Sequence, residues 1–382
     1  MQKFLRGAGA TALLCVAFAT STANAANGFS PTAGLSPGRY GACQALLGNG
    51  KVLLAGGFNG PALNTGVLYN PATGSYTAVA NTLSVARGYS TCTVLPSGKV
   101  LIAGGGGDDL FDGSNASAAA DLYDPVTNQF SATGSMHAAR TGIVAALLST
   151  GKVLIAGGIG SAPPARLASA ELYDPATGTF AFTGSLHEAR DVPVSVVLPN
   201  GKVLIIGGGD GSGFSIKTSE LYDPAAGTFA LSGSMHVGRD DATATLLPGG
   251  KVLVVGGIDQ DVAVGSAELY DPATGLFSMS NSSVPPRRFH TATLLSNGTV
   301  LIAGGVNSDT NVNTVKDAWI YTPGTDSFAQ TGSMAEARFY HTATLLPNNS
   351  VLVAGGYNDT GVVSGSELYG SLGDMIFKNG FE

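Results

Sequence analysis

One eight-residue stretch returns seven times and sets what this chain can become. Its cleanest copy is Gly-Lys-Val-Leu-Ile-Ala-Gly-Gly at residues 151–158, and near copies end at Gly57, Gly105, Gly208, Gly257, Gly305 and Gly356. The first glycines of the closing pairs are Gly56, Gly104, Gly157, Gly207, Gly256, Gly304 and Gly355, which are 48, 53, 50, 49, 48 and 51 residues apart. A steady period of roughly 50 residues marks a repeat architecture, in which each unit buries its faces against its neighbours. Abundant glycine (55 residues), sparse charge (12%) and the absence of helical spacing after the N-terminus suit an all-β chain with many tight turns.

Each repeat divides into four strand-sized pieces. In the third, Arg140 precedes a first strand over residues 142–148, and Ser149-Thr150-Gly151 turns the chain. The apolar run 153–156 reads as a strand buried on both faces, ended by Gly157-Gly158. A third strand is expected over 170–173, then the turn Asp174-Pro175-Ala176-Thr177-Gly178, then a fourth strand over 179–183. The glycine pairs fit positive φ and close backbone approach, and with no following helix and no Lys-Ser/Thr they are not a phosphate loop.

The Gly-Gly pair, the Tyr about 15 residues later, the aromatic residue of the next strand and the Arg before the next repeat resemble kelch repeats. Tyr-Asp-Pro-Ala-Thr-Gly and Thr-Gly-Ser-Met are similar to the propeller domain of galactose oxidase and its non-enzymatic bacterial relatives, over residues 28–370. The resemblance implies a seven-bladed kelch-type β-propeller with four antiparallel strands per blade. The seventh repeat loses its turn after Tyr369. Residues 28–35 align with 179–186, so the N-terminal strand is expected to close the last blade; residues 375–377 are the rival.

The termini read separately. Lys3 and Arg6, the apolar run 10–19 and Ala23-Asn24-Ala25 make residues 1–25 a secretory signal peptide, followed by the propeller over 26–370 and a tail over 371–382. Cleavage takes the formal charge from −7 to −9 by removing Lys3 and Arg6. Such an acidic chain lacks the footprint of a nucleic-acid binder. The expectation is a secreted monomer with no transmembrane segment.

Length varies in one place. From the opening Arg to the first Gly of the pair the interval is 17 in every repeat, taking Arg287 rather than Arg288 in the sixth. From that Gly to the Tyr it is 13, 19, 16, 15, 14, 17 and 14. The loop between second and third strands therefore varies, on the same face as the seven arginines, and binding is usually built on such loops. The repeated Arg itself reads as structural. Residues that break the repeat are more informative: Phe289 and His290, then Phe339, Tyr340 and His341, after the arginines of repeats six and seven, with Asp191, Asp240 and Asp241 in repeats four and five. Rings beside carboxylates suit ligand binding. Asp108, Asp109 and Asp112 crowd the longest loop as candidate Ca²⁺ ligands. His137, His187 and His236 recur at one repeat position and so do not form a shared metal site. Cys43 and Cys92 sit in the first strands of adjacent repeats, offset by one, which points the thiols either together or apart.

Three functions stay open. The main expectation is a binding module for a glycan or protein partner, with no cofactor beyond possible Ca²⁺. A copper radical oxidase, which the resemblance to galactose oxidase suggests, needs two His, two Tyr and a Cys cross-linked to one Tyr. His290, His341 and Tyr340 answer part of that list, but only 12 residues follow Gly370 where such oxidases carry a further domain. The third is a purely structural cell-surface scaffold.

Overall fold

The computed structural model describes residues 27–107, 115–161, 165–212, 214–307 and 313–371. The expected leader, most of the tail with its rival closing segment, and Asp108, Asp109 and Asp112 lie outside the described residues.

Among the described residues the chain forms seven four-stranded antiparallel sheets. The third is typical: Val144–Leu147, Val153–Ala156, Ala170–Asp174 and Thr179–Phe182, paired in that order. Its first strand begins two residues later than the sequence suggests, because Gly142 (φ 62°) is in the left-handed region that ends strand geometry. In the seventh sheet the order is Thr342–Leu345, Val351–Ala354, Ser366–Ser371 and then Asn27–Thr32, the first strand of the chain. Phe29 pairs with Tyr369 at a ring separation of 5.0 Å, as Phe180 pairs with Tyr173 at 4.9 Å in the third sheet. The first strands of successive sheets lie side by side, and that of the seventh lies beside that of the first, Cys43–Leu46. No helix among the described residues is long and apolar enough to cross a membrane.

The apolar second strands are the core. Val153, Leu154, Ile155 and Ala156 are all buried, since a strand alternates its side chains and each face here meets another sheet. Leu154 and Ala156 pack with Val203 and Ile205 of the fourth sheet, whereas Val153 and Ile155 pack with Leu101 and Ala103 of the second. Cys43 and Cys92 are joined, with Cα atoms 5.4 Å apart, and the bond ties the first sheet to the second.

The seven arginines are fully buried and explain the constant interval. Nη1 of Arg39, Arg140, Arg190, Arg239, Arg287 and Arg338 donates to the carbonyl of the first glycine 17 residues on, at 2.8–3.1 Å. Arg287, not Arg288, thus holds the register. The carbonyl of each Arg accepts from the second glycine of the preceding sheet: Gly57 to Arg87, Gly158 to Arg190, and Gly356 back to Arg39 at 2.8 Å. A Cβ on Gly56 would lie 2.2 Å from the Arg87 carbonyl oxygen, so the position excludes any side chain.

A buried guanidinium needs a partner. Glu171, Glu220, Glu268 and Glu367, on the third strands of their sheets, bond Arg140, Arg190, Arg239 and Arg338 at 2.8–3.2 Å. Asp121 does this for Arg87 and Asp317 for Arg287. His137, His187 and His236 bond the other oxygen of Glu171, Glu220 and Glu268, each at 2.9 Å, so these histidines are braces. Burial pushes Glu171 up, but hydrogen bonds from His137 and Ala138 and the charge of Arg140 outweigh it and hold the carboxyl below its usual range. In the first sheet Val67 stands opposite, and Arg39 relies on the Gly56 and Thr65 carbonyls; burial lowers it to about 10.

Glu220→Ala is expected to destabilise the protein by about 3–5 kcal/mol in urea unfolding, because it strands the buried Arg190. The exposed Glu188 also bonds Arg190, yet Glu188→Ala is expected to cost about 1 kcal/mol or less.

Candidate functional site

The residue two after each arginine has positive φ in all seven sheets: Gly41, Tyr89, Gly142, Val192, Asp241, Phe289 and Tyr340, at 44–62°. Five are not glycine, and one is β-branched, for which this conformation is a genuine outlier. Backbone bonds run between neighbours in this set, Tyr89 to the Gly41 carbonyl at 2.8 Å and Gly41 to that of Tyr340 at 3.0 Å. Strain of this kind concentrates at functional sites. All seven line one cavity of about 280 Å3, with His290 and His341.

One side of this face is aromatic. The Tyr89 and Tyr340 rings lie 5.2 Å apart in a T-shaped contact. Phe289 packs on Tyr340 at 4.2 Å, and Arg288 lies over Phe289 at 4.8 Å, a cation–π contact. Tyr40, Phe58, Phe339 and Tyr357 continue the belt behind them. Burial first, and Asp241 second, push the Tyr340 phenol well above its usual range.

His290 and His341 are buried at the starts of the sixth and seventh sheets. Their Nε2 atoms meet the Thr243 and Thr291 hydroxyls of the preceding sheets at 2.9 and 3.0 Å. Each Nδ1 is buried and has no hydrogen-bond partner. Burial first, then Arg287 and His341, hold His290 well below its usual range; burial first, then Arg338, lowers His341 to about 3. Both rings are therefore neutral, the form in which imidazole binds a metal.

The other side is acidic. Asp191, Asp240, Asp241 and Asp261 line a second cavity of about 260 Å3 with Arg166 and Arg288. The Asp191 Oδ2 pairs with Arg166 Nε at 2.9 Å, and Asp241 Oδ2 lies 3.8 Å from Arg288 Nη1. Asp240 Oδ1 accepts from the Asp241 amide at 2.8 Å. Burial first, then the charge of Asp191, pushes Asp240 up to about 7; burial also raises Asp191 and Asp241. A larger cavity, about 480 Å3, lies at the opposite ends of the strands, among turn residues such as Asn297 and Asn348. Its only titratable side chains are Tyr69 and Tyr369, hydrogen-bonded to Thr32 and Thr331, and it offers no comparable chemistry.

Phe289, His290, Tyr340, His341 and Asp241 thus meet in the aromatic cavity, and Asp191, Asp240 and Asp241 in the acidic one, with Asp241 common to both. Phe339 lines neither; it packs between Phe289, Tyr340 and Tyr357. Sequence reading passed over Tyr89 and Tyr40. Their signal was the same as that of Tyr340: an aromatic residue just after the repeated arginine.

No family model matches the chain. Among solved structures it is similar to one titled a novel fungal alcohol oxidase with catalytic diversity among the AA5 family, in complex with copper. The TM-score is 0.74 and the identity 18%, over 91% of this chain and 76% of that one. The chain has a galactose-oxidase-like β-propeller fold. The likeness to an oxidase holding copper displaces the expectation of a binding module for a glycan or protein, and with it the expectation of a chain with no cofactor other than Ca²⁺.

The acidic cavity gives this galactose-oxidase-like fold a pH dependence. An aspartate ionises near 3.9 in the unfolded chain. Asp240 keeps its proton until about 7, so the folded state holds more protons in between and stability falls as pH rises through that window. Asp191 and Asp241 act with the same sign, while Arg166 and Arg288 oppose it. Each group contributes a slope of at most about 1.4 kcal/mol per pH unit. The melting temperature is expected to drop between mildly acidic and mildly alkaline buffer, and Asp240→Asn is expected to flatten the profile.

Proposed function

We propose that this chain is a secreted, copper-dependent oxidase of small alcohols. It works on a seven-bladed propeller over residues 26–370 whose last blade is closed by Asn27–Thr32. The ring reading is supported by the pairing of that strand with Ser366–Ser371 and by the Gly356–Arg39 hydrogen bond. The leader-like residues 1–25 support secretion. One observation carries the chemical reading: two phenols in ring contact, Tyr89 and Tyr340, share a cavity with two neutral imidazoles, His290 and His341.

That donor chemistry fits copper. Imidazole nitrogen and phenolate oxygen are both ligands for the ion, and the buried Nδ1 atoms are unpartnered. No three His, Cys, Asp or Glu side chains among the described residues group as a metal site, so the phenols have to complete the donor set. Tyr89, Tyr340, His341 and His290 are the residues that would hold the ion. Bound copper would supply the one-electron redox chemistry by which an alcohol and O₂ become an aldehyde and H₂O₂. A Cys–Tyr cross-link does not fit. Cys43 and Cys92 are bonded to each other, and the position against the Tyr89 ring edge is Gly41, where an added Cβ would lie 2.8 Å from Cε1.

The chain's own residues do three things at this site. Phe289 and Phe339 exclude water from one flank of Tyr340. The T-shaped contact of the Tyr89 and Tyr340 rings holds the two side chains against one another. Asp241, shared by both cavities, is placed, once ionised, to take up the proton that an alcohol releases.

Protein loaded with copper is expected to retain the ion through desalting and to consume O₂ with a primary alcohol. Tyr340→Phe and His341→Ala are each expected to weaken copper retention by about tenfold or more while the protein stays folded. Elemental analysis and oxygen uptake decide it. Unchanged retention in both variants, or copper-loaded protein inert to every primary alcohol tried, would overturn the reading.

A further inference from the structure

The acidic cavity is not needed to hold copper, and with its carboxyls ionised its charge is out of balance. Four aspartates line it against two arginines. The side chains of Asp191 and Asp241 are 2% and 1% exposed. Yet Asp191 Oδ1 and both oxygens of Asp241 have no hydrogen-bond partner. Buried carboxylate oxygens in a folded protein are almost always bonded, and an orphaned one points to a missing donor. Gly209 forms the floor between two of the acids. A Cβ there would lie 2.5 Å from Asp191 Oδ1 and 2.9 Å from Asp240 Oδ2, so the two oxygens face each other across a gap that only hydrogen keeps open.

We infer that the cavity formed by Asp191, Asp240 and Asp241 binds the primary ammonium group of a small amino alcohol. The acids do not group as metal ligands, which argues against a bare divalent ion. An ammonium group carries three donors in a tripod, and the three orphaned oxygens of Asp191 and Asp241 are acceptors for them. Arg166 and Arg288 stand at the rim, 26% and 23% exposed in their side chains, and repel a second cationic group while donating to a hydroxyl oxygen. The volume, about 260 Å3, takes a molecule of a few heavy atoms. Asp241 lines both cavities, so a short amino alcohol held here by its nitrogen directs its hydroxyl toward Tyr340. As a statement about substrate this rests on the oxidase reading; as a statement about binding it does not.

The experiment is calorimetric titration of copper-free protein in mildly alkaline buffer with ethanolamine, ethylene glycol, glycolate and calcium chloride. Ethanolamine is expected to bind, and the diol and the acid are not. Asp191→Asn and Asp240→Asn are expected to weaken ethanolamine by about tenfold or more. Both are near-isosteric, and Asp240 is the least buried of the three, so one folded variant suffices. Glycolate binding as tightly as ethanolamine would put the arginines in charge and overturn the inference. So would calcium binding in place of ethanolamine, or ethanolamine affinity unchanged in the folded variants. Because no copper and no turnover are involved, failure here leaves the oxidase reading standing, and inert copper protein leaves this one standing.

Discussion

Everything in this fold hangs on an arginine that faces two ways. Its side chain ties the second strand of its own sheet by bonding the first glycine of the pair, and its backbone carbonyl takes a hydrogen bond from the second glycine of the sheet before. One residue therefore fixes both the interior of a sheet and its spacing from the next. The guanidinium is planar and permanently charged, and it presents several donors in one plane, so it can hold two carbonyls and a carboxylate at once. Lysine, with a single flexible ammonium, cannot reproduce that geometry. The glycines are equally constrained: they sit where another residue's carbonyl already occupies the space of a Cβ.

This skeleton leaves a narrow freedom, and the function is built there. Arginine and its second successor are pinned in space by the backbone, so only the identity of the successor varies. In four sheets it is Tyr, Asp, Phe or Tyr, and in the others a small or aliphatic residue. The result is lopsided. Sheets six, seven, one and two contribute rings, while loops and starts of sheets three to six contribute charges. A repeated frame with unequal insertions produces an asymmetric site without changing the frame.

Much of the frame was legible in the sequence, because repetition is a strong signal. The 17-residue interval is the length of one hairpin closed by the Arg–Gly bond, so it was visible before its cause was. The split of strands also followed, apart from the two residues lost to Gly142. The site was half legible. Tyr340 and His341 stand out because they have aromatic neighbours, whereas Tyr89 follows Gly88 with no aromatic neighbour and resembles a turn residue. No spacing reveals that Tyr89 and Tyr340, 251 positions apart, touch. Nor does spacing reveal that His290 and His341 spend one nitrogen on threonines between sheets. The chemistry itself was the least legible part, since one scaffold serves catalysis and binding alike.

The Cys43–Cys92 bond has a mechanical meaning. Tension on the N-terminus would first peel Asn27–Thr32 from Ser366–Ser371, a zipper of backbone bonds at the outer edge of the seventh sheet. The next structure in line is the first sheet, and there the covalent tie to the second sheet takes up the load. Fraying that starts at the chain end is thus arrested at Cys43, before the first sheet comes apart.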